Sequence, residues 1–533
     1  MSIEQAAGGR DKPAQRIAAG YAVAGQALQL GTVVVDGEVD PTAPIRIPLA
    51  TVNRHGLVAG ATGTGKTKTL QLIAEQLSAA GVAVLMADVK GDLSGLSRAS
   101  EVSDKAAARA RDTGDDWAPT AFPVEFLSLG TGGVGVPVRA TISSFGPILL
   151  AKVLGLNATQ ESTLGLIFHW ADQRGLPLLD LKDLRAVISH LTSDEGKAEL
   201  KSLGAVSSTT AGVILRALVN LEAEGADTFF GEPELKPDDL IRVDAQGRGI
   251  ISLLEFSGQS LRPVMFSTFL MWVLADLFSY LPEVGDLDKP KLVFFFDEAH
   301  LLFTDASKAF LEQVEQTVKL IRSKGVGVFF CTQLPTDLPN TVLSQLGARI
   351  QHALRAFTPD DQKALSKTVR TYPKTDVYEL ESALTSLGIG EAIVTVLSEK
   401  GAPTPVAWTR MRAPRSLMGA IGADAIAAVA QASTLQGEYG RTIDRPSAYE
   451  MLTTKLAPAE SVSSREKPVP RGKYDPLPWP DDIEVPPMPA PVEPQGPAMW
   501  EEILKNPTVK SAIKTGVREI TRSIFGTGRR RRK

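Results

Sequence analysis

An α/β fold, a mainly parallel sheet flanked by helices, is what this sequence predicts, and three observations carry the prediction. First, the glycine-rich segment Gly60-Ala-Thr-Gly-Thr-Gly-Lys66-Thr67 follows an apolar lead-in, Leu57-Val58-Ala59. It precedes an apolar-periodic run of Leu70, Leu72, Ile73 and Leu77, so the order is strand, loop, helix. Second, strand-like and helical runs alternate over residues 51–140, with Val82–Ala87 and Val124–Leu127 as further strands. Such alternation is the signature of a parallel sheet covered by helices. Third, an apolar run from Leu292 to Phe296 stops at two acids, Asp297 and Glu298.

The glycine-rich segment matches the phosphate-binding P-loop. Its glycines let successive backbone N–H groups turn toward a phosphate, and the helix N-terminus adds partial positive charge. Gly60, Ala61, Thr62, Gly63, Thr64, Gly65, Lys66, Thr67 and Lys68 are the candidate cofactor-binding residues. Lys66 is placed to reach the β- and γ-phosphates, and the Thr67 hydroxyl to ligate Mg²⁺. The strand and helix on either side argue against a chance glycine-rich turn, and ATP with Mg²⁺ is the expected ligand pair.

Seven segments are expected along the 533 residues. Residues 1–50 form a lead-in with short strands at Thr32–Val35 and Ile45–Pro48, enough for a small hairpin. Residues 51–144 hold the first part of the P-loop NTPase core. Residues 145–245 form a helical insertion, because Leu149, Leu150, Val153, Leu154, Leu164, Leu166 and Ile167 recur at helical spacing. Residues 246–412 return to sheet character at 249–254, 292–296, 326–330, 350–354 and 391–396. Residues 413–456 contain C-terminal helices, with an Ala-rich stretch near 416–436. Residues 457–497 hold twelve of the 35 prolines, which forbids regular structure and marks an extended linker. Residues 498–533 form an amphipathic helical tail that ends in the basic cluster Arg529–Lys533.

Hydrophobic content of 43% with 22% charged residues is that of a soluble globular chain. The net charge of −4 offers no global attraction to nucleic acid, so any contact with it needs a local basic surface. One cysteine, Cys331, precludes an intrachain disulfide and fits a reducing compartment; its apolar surroundings mark it as core. No apolar leader follows the opening residues. The longest apolar run, Val264 to Phe278, is too short for a membrane span and reads as a buried helix. A cytoplasmic protein without membrane insertion is expected. The five histidines lack metal-ligand spacing; His55 and His300 adjoin the motifs as packing or supporting groups.

The run ending in Asp297-Glu298 is a Walker B arrangement. Asp297 at the strand's end can hold Mg²⁺, and Glu298 can orient and deprotonate an attacking water. That acidic pair favours hydrolysis over transfer to a small acceptor. Gln333, at the end of the strand after it, is the candidate γ-phosphate sensor; a polar strand cap is the alternative. Arg322 precedes that strand and is either a helix-terminal cation or an arginine finger supplied to a neighbour. Arg349 and Arg355 are weaker candidates for that finger. Asp88 could join the water or metal network, whereas Lys90 and Asp92 fit a turn on Gly91.

Asn53–Thr67, Ala87–Gly95, Phe296–Phe303, Ile321–Gly327 and His352–Pro359, with Arg522–Gly526 before the tail, resemble the HerA-like ATPases of the bacterial YjgR type. The resemblance spans about residues 50–412 plus the tail. It implies a RecA-like core of the HerA/FtsK class, a hexameric homo-oligomeric ring with ATP between subunits, Arg322 acting in trans, and translocation along double-stranded DNA. Archaeal HerA carries an N-terminal barrel, for which residues 1–50 are too few.

A ring-forming ATPase that works as a DNA translocase or helicase is therefore the leading expectation. The only dense basic cluster is the tail, where nine Lys/Arg follow from Lys510 onward against one acid, Glu519; it either neutralises phosphates or is a solvated end. The alternative is an ATP-gated remodelling or scaffold ATPase that meets a protein partner through the helical insertion or the proline-rich arm.

Overall fold

The structure, a computed structural model, describes residues 12–88, 91–200, 206–255 and 263–456. The proline-rich linker, the helical tail and Lys90 lie outside the described residues. The strands are β1 (Ala27–Val35), β2 (Glu38–Pro48), β3 (Gly56–Ala59), β4 (Ala83–Asp88), β5 (Val124–Leu129) and β6 (Val136–Val138), followed by β7 (Ile251–Glu255), β8 (Leu292–Phe296), β9 (Val326–Thr332), β10 (Ala348–Gln351), β11 (Glu391–Thr395) and β12 (Ala407–Met411). They form one sheet in the order β2-β1-β12-β11-β10-β3-β9-β8-β4-β7-β5-β6. From β10 to β6 every neighbouring pair is parallel. From β2 to β10 every pair is antiparallel. The fold is thus the expected α/β, RecA-like P-loop NTPase core with an antiparallel extension.

The central strands are apolar on both faces because helices cover both, and alternate residues go to opposite cores. Phe294 and Phe296 of β8 join the core that also holds the insertion helices and the helix Pro263–Tyr280. Val293 and Phe295 join the other, with Leu70, Leu72, Ile73 and Leu77 of the helix after the glycine-rich loop (Lys66–Ala79). Burial of each such side chain contributes about 1.5–3 kcal/mol. The long apolar run is a core helix with Phe269, Trp272 and Leu277 buried; no described helix is long and apolar enough to cross a membrane.

Helices 142–154, 158–173, 181–192, 194–200 and 208–223 occupy the segment where an insertion is expected. Their starts follow local capping: Thr141 accepts from the Ser144 N–H, and Asn157 and Asp180 each make a reciprocal capping box. Three features differ from expectation. The short lead-in strands are nine- and eleven-residue strands that extend the main sheet, with Gly31, Thr32 and Val33 in register with Met411, Arg410 and Thr409. Prolines 41, 44 and 48 interrupt the alternation that would reveal β2. Strands β6, only Val-Pro-Val, and β12, Ala-Trp-Thr-Arg-Met, carry too few apolar residues to read as strands alone. The Ala-rich stretch is helical only over Ala423–Ala432, because Gly422 at φ 86° starts the helix late.

Candidate active site

Parallel strands deliver their C-terminal ends to one edge, where open α/β sheets bind ligands. The glycine-rich loop leaves β3 there. Gly60 donates its N–H to the Thr332 carbonyl (3.3 Å) and Ala61 donates to Ala353 (2.9 Å), so the loop is slung between β9 and the chain leaving β10. A side chain at Gly60 would meet the His352 Cβ at 2.6 Å, and φ there is +150°. Gly65 at φ 117° begins the helix. Its first turn leaves N–H groups without intrahelical partners, the arrangement that binds anions. Thr62 and Gly63 are exposed at the loop's tip, Thr64 is buried, and Thr67 is half-buried.

The Lys66 ammonium donates to the carbonyls of Gly60 (2.6 Å) and Ala61 (3.2 Å) and so lies across the loop it is meant to serve. Lys68 points elsewhere: its ammonium donates to Gln71 (3.2 Å), and Asp92, Asp88 and Glu75 oppose the fall in its pKa that burial causes. Its side chain therefore faces an acidic cluster, leaving its backbone for the loop's ligand.

Two strands away, Asp297 accepts the Glu298 N–H at 2.9 Å, and Glu298 itself sits at φ 47°, a left-handed conformation unusual outside glycine. The His300 ring lies 3.5 Å from the Glu298 carboxylate, a closer supporting role than spacing alone suggests. Between them and Lys66 stands the buried Cys331, at the end of β9. Burial pushes its thiol well above the usual range, Asp297 adds to the shift through charge and a hydrogen bond, Lys66 opposes it, and Glu298 adds a smaller push. Lys66 after β3 and the Asp297–Glu298 pair after β8 thus flank the end of β9, and the charge of each is felt at that thiol.

Gln333 is exposed just beyond β9. Its position is set by Asp337, whose carboxylate accepts from the Thr332 hydroxyl (2.6 Å) and the Leu334 N–H (2.9 Å). Asp88 ends β4 at the same edge, yet one carboxylate oxygen accepts from the N–H groups of Leu93 (2.8 Å) and Ser94 (3.1 Å). That oxygen braces the following turn, while the other, Oδ1, is buried without a hydrogen-bond partner among the described residues at the same edge. Desolvation raises its pKa to about 6.

The arginines separate. Arg355 leaves β10 at the loop's edge and is exposed. Arg322 lies at the opposite edge, before β9, 3.7 Å from Asp286. Arg349 lies there too, donating to the carbonyls of Thr371 (3.2 Å) and Leu343 (3.5 Å). With Arg54 and Lys319 they line a recess of about 440 Å³. His55 borders it as a core group: one ring nitrogen meets the Val318 carbonyl (2.8 Å), the other accepts the Val328 N–H (3.0 Å), and burial lowers its pKa to about 4.

Sequence reasoning missed the brace behind the loop. His352 is fully buried; its Nε2 meets the Thr69 hydroxyl (2.9 Å) and its Nδ1 the Glu391 carbonyl (2.8 Å). Its pKa falls to about 4 through burial, with Lys66 adding to the shift. The neutral ring ties β10, the Lys66–Ala79 helix and β11 together. A histidine at the end of an apolar strand was the available signal.

Among the described residues no group of three or more His, Cys, Asp or Glu is arranged to hold a metal ion. The Thr67 hydroxyl and Asp297 carboxylate are a hard-oxygen pair, the donor set of a magnesium ion that keeps most of its waters.

No curated protein matches the chain. Among solved structures, the bacterial conjugative coupling protein TrwB, in its unbound monoclinic form, is 16% identical with a TM-score of 0.49, covering 77% of this chain and 94% of that one. The plasmid coupling protein TrwB in complex with the ATP analogue ADPNP gives 16% and 0.49, with 75% and 99% covered. VirB4 of Thermoanaerobacter pseudethanolicus gives 15% and 0.45, with 73% and 98% covered. The family described as helicase HerA-like C-terminal matches residues 34–532, and with its P-loop and Walker B strand in place the chain belongs to that family of P-loop ATPases.

Proposed function

We propose that this chain hydrolyses ATP at the interfaces of a homo-oligomeric ring, and that the ring moves along duplex DNA. The P-loop N–H groups and Lys66 hold the β- and γ-phosphates. Thr67 and Asp297 would hold the magnesium ion, which neutralises charge on those phosphates when bound. Glu298, steadied by His300, takes the proton of the attacking water, and Gln333 orients that water against the γ-phosphate.

The observation that carries the ring is the separation of charges along β9. Cys331 marks the phosphate end and Arg322 the opposite end, with the seven-residue strand between them spanning about 20 Å in six steps of about 3.3 Å. One copy cannot bring its own Arg322 to its own phosphates. A neighbouring copy can, and the cationic recess around Arg322 suits a polyphosphate. Arg349 is a poorer finger because two carbonyls engage it, and Arg355 stands at the wrong edge.

The test is steady-state ATP hydrolysis with and without long duplex DNA, with Glu298→Gln as the blank. Stimulation that falls with added salt supports the DNA motor, since phosphate contacts are lost to counterions. Turnover indifferent to DNA supports the second reading, a protein-remodelling ATPase, which the net charge of −4 favours.

A further inference from the structure

A single exposed isoleucine needs no explanation. Ile389 is different because the turn that carries it is bonded to the phosphate loop. The Gly390 N–H donates to the Thr64 carbonyl at 3.0 Å. Arg109 clamps the turn from the far side, donating to the carbonyls of Gly390 (3.0 Å) and Met411 (2.9 Å). The Glu391 carboxylate accepts the Gly388 N–H (2.9 Å), and His352 holds the Glu391 carbonyl. The turn is thus fixed on every side, while the Ile389 side chain stands 76% exposed beside the loop.

The direction of a bound nucleotide follows from the sheet order. Strand β3 lies between β9 and β10. Asp297, Glu298 and Gln333 all sit on the β9 side, which fixes the γ-phosphate end there. The nucleoside end then extends toward β10 and β11, where the turn bearing exposed Ile389 lies. A base has two apolar faces and needs a surface on which to lie.

We propose that Ile389 is the apolar wall on which the nucleobase of the bound triphosphate packs. This rests on the ATPase reading of the same site. The test measures the affinity of the full chain for ATP and for inorganic tripolyphosphate by calorimetry, in the wild type, Ile389→Ser and the conservative Ile389→Val. Ile389→Ser is expected to weaken ATP about tenfold, the effect of losing most of one apolar contact. Tripolyphosphate binding should not change, and Ile389→Val should stay near wild type. Equal weakening of both ligands would overturn the proposal, since the residue would then act through the loop. Unchanged ATP affinity in Ile389→Ser, with wild-type turnover intact, would overturn it alone. A wild-type chain that neither hydrolyses ATP nor binds tripolyphosphate would bring down both this inference and the reading beneath it.

Discussion

At the C-terminal edge of the sheet Lys66, Asp297 and Glu298 flank the end of β9, whereas at the other end of that strand Arg54, Lys319, Arg322 and Arg349 line a recess. The first edge has the carboxylates and loop of a hydrolytic site but lacks Arg322. The second has cations in excess and neither a phosphate loop nor a general base. On the reading proposed above, the difference teaches that one chain would carry parts of two sites, one at each end of a strand too long for a side chain to bridge.

The largest expected effect breaks that comparison directly. Arg322→Ala should lower turnover by about 10³-fold, the scale of a transition-state arginine, with nucleotide affinity unchanged. Arg349→Ala should leave turnover near wild type. Mixing Arg322→Ala with Glu298→Gln chains should restore part of the activity, because some interfaces then pair an intact loop edge with an intact arginine edge. Near-wild-type turnover in Arg322→Ala, or no recovery on mixing, would return the recess to a structural role.

Glu298→Gln comes next, with an expected loss of about 10²- to 10³-fold in turnover and no loss of ATP binding. A variant that loses binding as well would place Glu298 in the cradle instead of at the water. His300→Ala should give a smaller loss of turnover, since the ring stands beside the Glu298 carboxylate.

These residues differ in how legible they were. The loop and the acidic strand end were visible because their chemistry is local: consecutive residues on one turn do the work. The parallel core was visible because helices cover both faces and leave long apolar runs in β4, β7, β8 and β9. The antiparallel extension was visible only in part: the hairpin strands and β11 left apolar runs, but β2 is broken by prolines and β12, Ala-Trp-Thr-Arg-Met, lacks the alternation of a half-buried strand. The brace behind the loop was invisible for another reason. His352, Thr69, Gly390 and Arg109 are far apart in the chain and meet only through β10 pairing with β3 on one side and β11 on the other.

The brace can be probed at Gly60, where an added Cβ would lie 2.6 Å from that of His352. Gly60→Ala should cost about 1–3 kcal/mol in a urea melt, the scale of backbone strain at a positive φ, and should weaken nucleotide binding alongside. A melt like that of the wild type would mean that the loop can move away from His352 freely, so that the brace does not hold the C-terminal edge.

The smallest effect is one of pH. Burial lowers the pKa of His352 from 6.5 to about 4, so between those values the unfolded chain binds more protons there than the folded one. Its contribution to stability is therefore complete above pH 6.5 and declines as the pH falls toward 4, by at most about 1.4 kcal/mol per pH unit. Asp88 and Asp276, both raised to about 6 by desolvation, act with the opposite sign in much of that window. A bare stability profile would mix these terms, and His55 would add its own. The useful quantity is the difference between wild type and His352→Gln. Glutamine removes the titration, so the variant should gain on the wild type as the pH drops from 6.5 to 4, while above 6.5 the gap stays constant. Parallel urea-melt profiles across that range would mean that His352 accepts a proton in the folded state at little cost.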